Sequence, residues 1–434
     1  MREHPRRVAA AAGALLAVLV AAWWSGSPRN TPAPSPIARA GTSAQTHDFR
    51  APFAVLFAGQ SPLPASKGDE LCGYGPVPVV DGIPQIPPEI ETAAPSALGN
   101  LAADLAARSS ERDRAMGMYL QIVAAGSAAG EASRRAHGDC ADDDKACQSA
   151  ADQAVVSATA ESRRALVRLA TTTSDPDAYA LATYSCRSLP GESASDDCAL
   201  LSSAQWARIE PDNAVPWLYA AADAQRRHDR STIEAALYRA SQARYSDPHR
   251  DQVIRVFASD AVAAQPPAVQ TQLALSLIGI HAALTFSGSG VVLTQYCSVA
   301  ALADPSRVQT CGDLAATLIE HGRTEVEVWI GAKVAERIGT TDPRFSTLLD
   351  EADALKWQRS QWLKSMQEHE HGLLSCDSLQ VLRRNAGAQA QFGESGRLRQ
   401  ELAASGVTTS QAAERWRAER RALLQKNASL APAK

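Results

Sequence analysis

Apolar residues recur at intervals of three and four along most of this chain, a spacing that places them on one face of an α-helix. The clearest stretch follows Pro343 and keeps this spacing at Phe345, Leu348, Leu349, Ala352, Leu355, Trp362 and Met366. No comparable series of alternating apolar and polar residues, the pattern typical of strands, is present. We therefore predict an all-α fold from about Pro95 almost to the C-terminus.

Asp-Pro pairs punctuate this helical pattern at residues 175–176, 247–248, 304–305 and 342–343. Aspartate accepts hydrogen bonds from the free N–H groups of a first turn, and proline at the first helical position lacks an N–H that would be unpaired. Thr324 and Glu327 have the spacing of a capping box, and Gly339 is placed to end the helix that follows. These signals predict where helices begin and end.

The N-terminal region has a different pattern. Arg2, Arg6 and Arg7 precede the uncharged, mostly aliphatic run Val8–Trp24. As a helix this run would be about 25 Å long, close to the ~30 Å hydrocarbon core of a bilayer. The basic flank predicts a cytoplasmic N-terminus. Two interpretations stay open: a retained signal anchor, or a signal peptide cleaved at Val20–Ala22.

Either interpretation places the rest of the chain outside the cytoplasm. We predict a periplasmic protein anchored to the inner membrane through residues 8–24, with a soluble periplasmic or secreted protein as the alternative. Residues 25–46 are rich in proline, serine and threonine and are typical of a linker. Residues 47–95 are predicted to be an irregular segment packed on a helical body of residues 96–434.

Composition indicates how such a body is stabilised. Aromatic residues make up only 5% of the chain, and alanine occupies many helical positions. Alanine-rich helices bury little apolar area each, so we expect covalent ties between them. The chain has eight cysteines, and an even number in an exported protein is typical of a disulfide framework.

The positions of the cysteines in the helical pattern suggest how they pair. Cys186 and Cys198 lie at facing ends of a predicted hairpin. Cys297 and Cys311 lie about two turns before and after the junction at residues 303–304, and Cys140 and Cys147 close a small acidic loop. Elimination leaves Cys72 with Cys376. We therefore predict the pairs Cys140–Cys147, Cys186–Cys198, Cys297–Cys311 and Cys72–Cys376, the last holding the irregular segment on the body.

One stretch carries a repeat-like motif over about residues 206–245. One helix ends and the next begins at Trp206–Asn213, and a turn follows at His228–Asp229. The apolar positions of its two helices are Trp217, Leu218, Ala221, Ala224, Ile233, Leu237 and Ala240. The motif resembles one tetratricopeptide repeat, a helix-turn-helix of 34 residues. His228 replaces the usual turn glycine, and Tyr245 replaces the closing proline.

The resemblance implies stacked helical hairpins, like an α-solenoid, with a concave face that holds a peptide or a partner protein. In that family the first helix of each repeat faces the concave side. Trp217 and Tyr219 are therefore the residues that we expect to line a binding groove. The rest of the chain resembles no family.

Charge and motifs indicate no catalytic residue, cofactor or metal. The formal net charge is −4, and without the first 24 residues the chain is still more acidic, which argues against nucleic-acid binding. Glu368–His371 lacks the i, i+4 histidine spacing of a zinc helix, and the acidic loop at residues 139–144 lacks the pattern of a calcium loop. His281 is expected to be a hydrogen-bonded core residue, whereas His228 and His321 mark helix ends.

Two hypotheses about function follow. The first is a non-enzymatic helical-repeat protein of the cell envelope that binds a protein or peptide partner. The second is a periplasmic enzyme that acts on cell-envelope material, with its site in a cleft between helical subdomains. Only length and compartment favour the second hypothesis, so the sequence favours the interaction protein.

Overall fold

The computed structural model describes residues 69–80, 83–137, 145–187, 196–284, 289–339, 343–367 and 374–430. Within these ranges helices dominate, and the predicted all-α fold is confirmed. Near its start lie two short antiparallel hairpins, which are formed by β1 (Asp69–Leu71) with β2 (Gly75–Val77) and by β3 (Val79–Val80) with β4 (Ile83–Pro84). The predicted stacking into a solenoid stays a prediction.

The helices that follow are longest at the two ends of the described chain and shorter between them. They are α1 (Pro88–Ala106), α2 (Glu111–Ala136), α3 (Lys145–Thr172), α4 (Pro176–Arg187), α5 (Ser203–Ile209), α6 (Ala214–Arg226), α7 (Arg230–Ser241), α8 (Asp251–Phe257), α9 (Asp260–Ala263), α10 (Pro267–Ala283), α11 (Ser289–Tyr296), α12 (Pro305–His321), α13 (Glu325–Ile338), α14 (Pro343–Gln367), α15 (Cys376–Ala404) and α16 (Thr409–Leu430).

Most of the larger helix–helix contacts join helices that follow one another in the chain. α2 packs between α1 and α3, α6 pairs with α7, α12 pairs with α13, and α14 lies along α16. Helices far apart in the sequence also pack together, among them α8 with α15 and α1 with α10. A single large apolar core runs through these layers and includes many alanines that are fully buried, such as Ala178, Ala214 and Ala315. Small side chains therefore let the helices approach closely over most of the body.

Several helix boundaries follow the predicted local chemistry. Asp175 Oδ1 accepts hydrogen bonds from the first turn of α4, and Asp304 Oδ1 accepts one from Ser306 N at the start of α12. Thr324 and Glu327 form the predicted capping box of α13. Gly339 ends that helix with a φ of 98°, as the glycine pattern predicts.

Two boundaries differ from the predictions. Asp247 and Pro248 do not start a helix, because α8 begins only at Asp251 and the preceding residues form a loop with long-range contacts. The helical body begins at Pro88 rather than at residue 96, so the end of the segment 47–95 belongs to α1 and Pro95 lies inside that helix. The proline at the first helical position explains the earlier start.

The seven cysteines within the described ranges are disulfide-bonded, as predicted. The structure joins Cys72 to Cys376, Cys186 to Cys198 and Cys297 to Cys311, which are three of the predicted pairs. Cys147 is also disulfide-bonded, and its predicted partner Cys140 lies outside the described residues. Closing short loops contributes about 3 kcal/mol each, whereas the loop of 304 residues closed by the first pair contributes about 5 kcal/mol.

The Cys72–Cys376 bond holds the first hairpin against the opposite end of the chain, as predicted. Beside it the Cys72 N–H donates to the Leu374 carbonyl at 2.9 Å. Leu71 and Val77 pack with Leu374 and Ala268 in a small second core. The N-terminal hairpin is therefore fixed on the body by covalent, hydrogen-bonded and apolar contacts together.

Among the described helices, none is both long enough and apolar enough to cross a bilayer. The predicted anchor or signal peptide at residues 8–24 lies outside the described residues, as does the predicted linker at residues 25–46.

Candidate functional site

Four short segments from distant parts of the sequence pair with one another through their backbones, three at helix ends or in loops and one at a break within α15. They comprise residues 212–214, 244–246, 321–323 and 393–395, and we call them the loop ladder. Parallel bridges pair Asn213 with Tyr245 and Ser246 with Gly322. The backbone bonds of the loop ladder run from Arg244 N to Asp212 O, Ala214 N to Tyr245 O, Ser246 N to His321 O, Arg323 N to Ser246 O and Ser395 N to Arg323 O.

Asn213 strengthens the pairing between the first two segments of the loop ladder. Its side chain is fully buried, and its Oδ1 accepts hydrogen bonds from Val215 N at the start of α6 and from Asp247 N. Its Nδ2 donates to the Asp247 carbonyl at 2.7 Å. The Tyr184 hydroxyl donates to the next carbonyl, that of Pro248, at 2.6 Å. One asparagine thus caps a helix and also fixes the loop that follows α7.

His249 follows the second segment of the loop ladder and lies between two buried carboxylates. Its Nδ1 is 2.5 Å from Asp177 Oδ1, and its Nε2 is 2.8 Å from Glu210 Oε2. Burial alone would lower the pKa of His249, but Asp247, Asp177 and Glu210 together raise this pKa well above its usual range. With carboxylates at both ring nitrogens, the imidazole is protonated and donates both hydrogen bonds.

A second buried ionic group centres on Glu394, the residue after Gly393 in the loop ladder. Glu394 Oε2 lies 2.8 Å from Arg250 Nη2 and accepts a hydrogen bond from Glu325 N at 3.1 Å. Arg359 bridges Glu394 and Glu325 from the opposite side. Burial would raise the pKa of Glu394, but Arg250 and Arg359 lower it. The carboxylate therefore ties α8, α13, α14 and α15 together.

Gly393 allows this arrangement by interrupting α15. Its φ of 77° and ψ of 168° lie in a region that is essentially restricted to glycine. A Cβ atom built at this position would lie 2.8 Å from the carbonyl oxygen of Arg323. The break brings Ser395 N to that carbonyl and brings the Ser395 hydroxyl to the Gly322 carbonyl.

Glu327 is the capping-box residue of α13, and its carboxyl group is fully buried under the loop ladder. It accepts hydrogen bonds from Thr324 N and Thr324 Oγ1 at 2.9 Å and from the Ser246 hydroxyl. Burial raises the pKa of Glu327 to about 7, although these three donors oppose the increase. The carboxyl group therefore titrates near neutral pH.

An open cavity of ≈ 390 Å³ lies beside the loop ladder. Its wall combines the last turn of α12, the two central loop segments and the residues around the break in α15. The lining residues are Tyr245, Asp247, Glu320, His321, Gly322, Arg323, Phe392, Ser395 and Arg399. Phe392 is 40% exposed and adds an aromatic ring to the lining.

The charged residues that line the cavity differ in how closely they are paired with opposite charges. Arg323 Nε is 3.1 Å from Asp247 Oδ2, and Arg399 Nε is 2.8 Å from Glu351 Oε1. Among the described residues, Glu320 makes an ion-pair contact only with His321, at 3.9 Å. Burial raises the pKa of Asp247 despite the opposing charges of His249 and Arg323. The lining therefore combines two carboxyl groups, Asp247 and Glu320, with two guanidinium groups, Arg323 and Arg399, and its formal charges balance.

The predicted groove residues lie elsewhere. Tyr219 is only 2% exposed and packs against Trp206 and Tyr184 in the core, so the expectation that it lines a groove is corrected. It is buried because its side of α6 faces α5 and α4 rather than an open surface. Trp217 is partly buried on the core, and its Nε1 donates to the Pro211 carbonyl at 2.9 Å. Neither residue lines the cavity.

The histidines identified in the sequence have the expected local settings. His281 is a buried residue whose Nε2 is 3.2 Å from Asp251 Oδ1. His228 follows the end of α6, and His321 is the last residue of α12. His321 also lines the cavity, which its position in the sequence does not indicate.

Nothing in the sequence indicates that His249, Glu394 and Phe392 lie close to one another. An Asp-Pro pair precedes His249 and a glycine precedes Glu394. Each of these patterns by itself indicates only a local turn or helix boundary. Their partners are far away in the chain: His249 bonds Asp177 across 72 residues, and Arg250 bonds Glu394 across 144 residues. Only the tertiary fold brings them together.

Within the described part of the chain, no group of three or more His, Cys, Asp or Glu side chains is arranged to hold a metal ion. The Glu368–His371 cluster and the acidic loop at residues 139–144 lie outside the described residues.

Comparisons with known proteins give no identification. No family model, curated protein or solved structure matches this chain. The tetratricopeptide resemblance of residues 206–245 therefore stays a prediction from the sequence.

Proposed function

We propose that this chain is an interaction protein of the cell envelope, and that the cavity beside the loop ladder binds a peptide segment of a partner protein. In this proposal residues 8–24 tether the chain to the inner membrane or direct its export. The disulfide-bonded helical body then acts in the periplasm, where oxidised cysteines are stable. The proposed partner is a protein, and we do not propose nucleic acid as a ligand.

One observation supports the proposal: an open cavity with aromatic residues in its lining lies beside the hydrogen-bonded loop ladder. Backbone hydrogen bonds and buried ion pairs hold the loop ladder, so the cavity wall is preorganised. Preorganised surfaces bind with a smaller loss of conformational entropy. Phe392 and Tyr245 supply aromatic surface, and large side chains of this kind are common at the centres of protein interfaces.

The enzyme alternative has less support from the geometry. His321 lines the cavity, and its Nε2 is 3.9 Å from Glu320 Oε2. His249, two residues after Asp247 of the lining, is 7% exposed and has both ring nitrogens bonded to carboxylates. A general base needs a nitrogen within reach of a substrate. The buried ionic groups contact one another, which favours a structural role for them.

Site-specific photo-cross-linking in intact cells tests the proposal. A photoreactive phenylalanine analogue replaces Phe392, and the same analogue replaces Tyr238 as a matched control. Tyr238 is 56% exposed on α7 and does not line the cavity. We expect the analogue at position 392 to form a discrete adduct with one partner, and the analogue at position 238 not to form that adduct.

Two outcomes would contradict the proposal. One is the absence of an adduct at position 392 in cells that express the full-length chain at normal levels. The other is turnover of cell-envelope material by the purified full-length chain that is abolished by a change in the cavity. The second result would favour the enzyme alternative.

A further inference from the structure

Glu327 contacts the wall of the cavity from the buried side. Its carboxyl group is fully buried and accepts a hydrogen bond from the Ser246 hydroxyl, and the next residue, Asp247, lines the cavity. The carboxyl group also accepts hydrogen bonds at 2.9 Å from Thr324 N and Thr324 Oγ1, and the residue before Thr324 is Arg323 of the lining. Glu327 therefore joins the two central segments of the loop ladder, which form this part of the wall.

Glu327 differs from other buried carboxyl groups around the loop ladder, because no cation lies beside it. Within the described chain, its carboxyl group makes no ion pair with an arginine, lysine or histidine, and its hydrogen-bond donors are all uncharged. The carboxyl groups that do pair with an arginine or a histidine are those of Asp177, Glu210, Asp251, Glu325 and Glu394. A buried carboxylate without a cation is costly, whereas the protonated group is neutral. The site therefore favours the protonated form of Glu327.

The charged and titratable groups around Glu327 do not supply a cation to it. Asp247 carries charge of the same sign and disfavours the ionisation of Glu327. The charge of Glu327 acts on Tyr184 of α4, but burial raises the pKa of Tyr184 well above its usual value, so the phenol stays neutral. The remaining groups are paired elsewhere, namely Arg250 with Glu394, Arg323 with Asp247, His321 with Glu320 and Glu325 with Arg359.

We propose that Glu327 is the pH sensor of the cavity: the wall has the described arrangement while this carboxyl group holds a proton, and the side chains of the wall rearrange when the proton is lost. This inference rests on the proposed function, because it specifies how binding at the same site is regulated.

Loss of the proton changes the balance of charge at the wall. The carboxylates of Glu327 and Asp247 then both act on the segment around Ser246, where Arg323 is already bonded to Asp247. Because Asp247 and Arg323 line the cavity, a shift in their pairing changes its shape and charge, while the backbone bonds of the loop ladder stay in place. Burial raises the pKa of Glu327 to about 7, so the group is protonated below neutral pH and charged above it.

Fluorine NMR of the purified full-length chain with intact disulfides tests the inference without a partner. 4-Fluorophenylalanine replaces Phe392, which lines the cavity, and spectra are recorded from about pH 5.5 to about pH 8.5. We expect its resonance to shift with a midpoint at about pH 7. Glu327→Gln should remove this titration and keep the resonance at its low-pH position, because glutamine has a similar shape and stays neutral.

Two further variants separate Glu327 from other groups. His321→Gln is the matched control, because His321 also lines the cavity and an imidazole titrates in the same pH range. The titration should persist in this variant. Ser246→Ala removes a donor to the carboxylate, so the midpoint should move to higher pH. This shift tests the assignment even if Glu327→Gln does not fold.

Photo-cross-linking through position 392 in cell-envelope fractions tests the regulation itself. With a pKa of about 7, roughly nine tenths of the Glu327 carboxyl groups hold a proton at pH 6 and roughly one tenth at pH 8. We expect about tenfold less adduct at pH 8 than at pH 6 when the partner is below saturation. The Glu327→Gln chain should give equal amounts of adduct at both pH values.

Failure of the inference differs from failure of the proposed function. The inference would be overturned by the absence of a titration at position 392, by its persistence in Glu327→Gln, by its loss in His321→Gln, or by an unchanged or lower midpoint in Ser246→Ala. Equal adduct from the parent chain at pH 6 and pH 8 would also overturn it, and all of these results leave the proposed function intact. The absence of any adduct would instead contradict the proposed function, and the NMR titration would still decide whether Glu327 senses pH.

Discussion

Two turns of this molecule contain a histidine with the same unusual backbone conformation. His228, between α6 and α7, and His249, between α7 and α8, both have a φ of 58°. His228 is exposed, and its neighbourhood is local: Asp229 N donates to the Ala224 carbonyl, and Asp229 Oδ1 caps Thr232. His249 is buried, and its side chain bonds residues that are 39 and 72 positions away.

The comparison shows how the cost of a left-handed backbone conformation can be offset. A left-handed residue costs roughly 1–2 kcal/mol for most side chains. At His228 the adjacent helices impose the turn, and the imidazole adds no described contact that offsets this cost. At His249 the same conformation directs a charged ring between two buried carboxylates. The turn at His228 only connects two helices, whereas the turn at His249 holds together residues that are distant in the sequence.

Replacement of His249 by glycine gives the largest expected effect. Glycine permits the φ angle but removes the imidazolium, which leaves Asp177 and Glu210 buried without the cation between them. We expect the free energy of unfolding to fall by about 3–5 kcal/mol, as when one partner of a buried ion pair is removed. Urea denaturation at pH 7 with intact disulfides measures the change. A loss below about 1 kcal/mol would show that His249 is no more important than His228.

Gly393→Ala tests whether the break in α15 supports the loop ladder. The new Cβ would lie 2.8 Å from the Arg323 carbonyl oxygen, and the φ of 77° disfavours alanine. We expect a loss of about 3 kcal/mol of stability. Gly387→Ala is the control in the same helix, where a Cβ meets no atom within 4 Å, and it should stabilise by about 0.5–1 kcal/mol. Equal effects of the two changes would contradict the assigned role of Gly393.

Glu327→Gln tests the buried carboxyl group through its pH dependence. The folded pKa of Glu327 is about 7, above the ordinary value of 4.5, so the folded state binds a proton more tightly than the unfolded state. Stability from this group is therefore complete below pH 4.5 and is lost as the pH rises through 7. Glutamine preserves the shape and removes the titration.

We accordingly expect the stability of Glu327→Gln, relative to the parent chain, to increase by about 2–3 kcal/mol between pH 5 and pH 8. Thermal and urea unfolding at a series of pH values measure this difference. Glu336→Gln, in the same helix but exposed, should show no such trend. A difference that is independent of pH would rule out a raised pKa for Glu327.

His228→Gly gives the smallest expected effect, and its sign is opposite to that at His249. Glycine relieves the left-handed strain, and no described side-chain bond is lost. We expect the protein to be stabilised by about 0.5–1 kcal/mol. Destabilisation by more than about 1 kcal/mol in urea would indicate that the exposed turn, too, depends on its histidine side chain.

The two turns also show how far the sequence could predict this protein. The all-α fold, the capping box at Thr324, the end of α13 at Gly339 and the turn at His228 all follow from residues close together in the chain. The three described disulfide pairs could be reached because helix geometry leaves few choices. These features depend on local chemistry or on a small set of alternatives.

The loop ladder could not be predicted in this way. Asp247-Pro248 has the local pattern of a helix start, but Asn213 and His249 hold it in a loop. Gly393 lies in a helical pattern, and nothing nearby indicates that Arg250 and Arg359 require a carboxylate at position 394. Tyr219 was placed on a groove by resemblance, whereas packing against Trp206 buries it. Hydrogen bonds, ion pairs and packing between residues far apart in the chain decide these positions, and one sequence does not show them.

Native-state hydrogen exchange of the full-length chain tests most directly whether the loop ladder is the rigid frame of the cavity. The amides of Ser246, Arg323 and Ser395 donate to other loop segments, whereas Arg227 and His228 belong to the exposed turn. We predict that the three loop-ladder amides exchange only through global unfolding, with the same free energy as core amides of α12, while the turn amides exchange by local opening. Exchange of Ser246, Arg323 and Ser395 as fast as that of Arg227 would contradict the account.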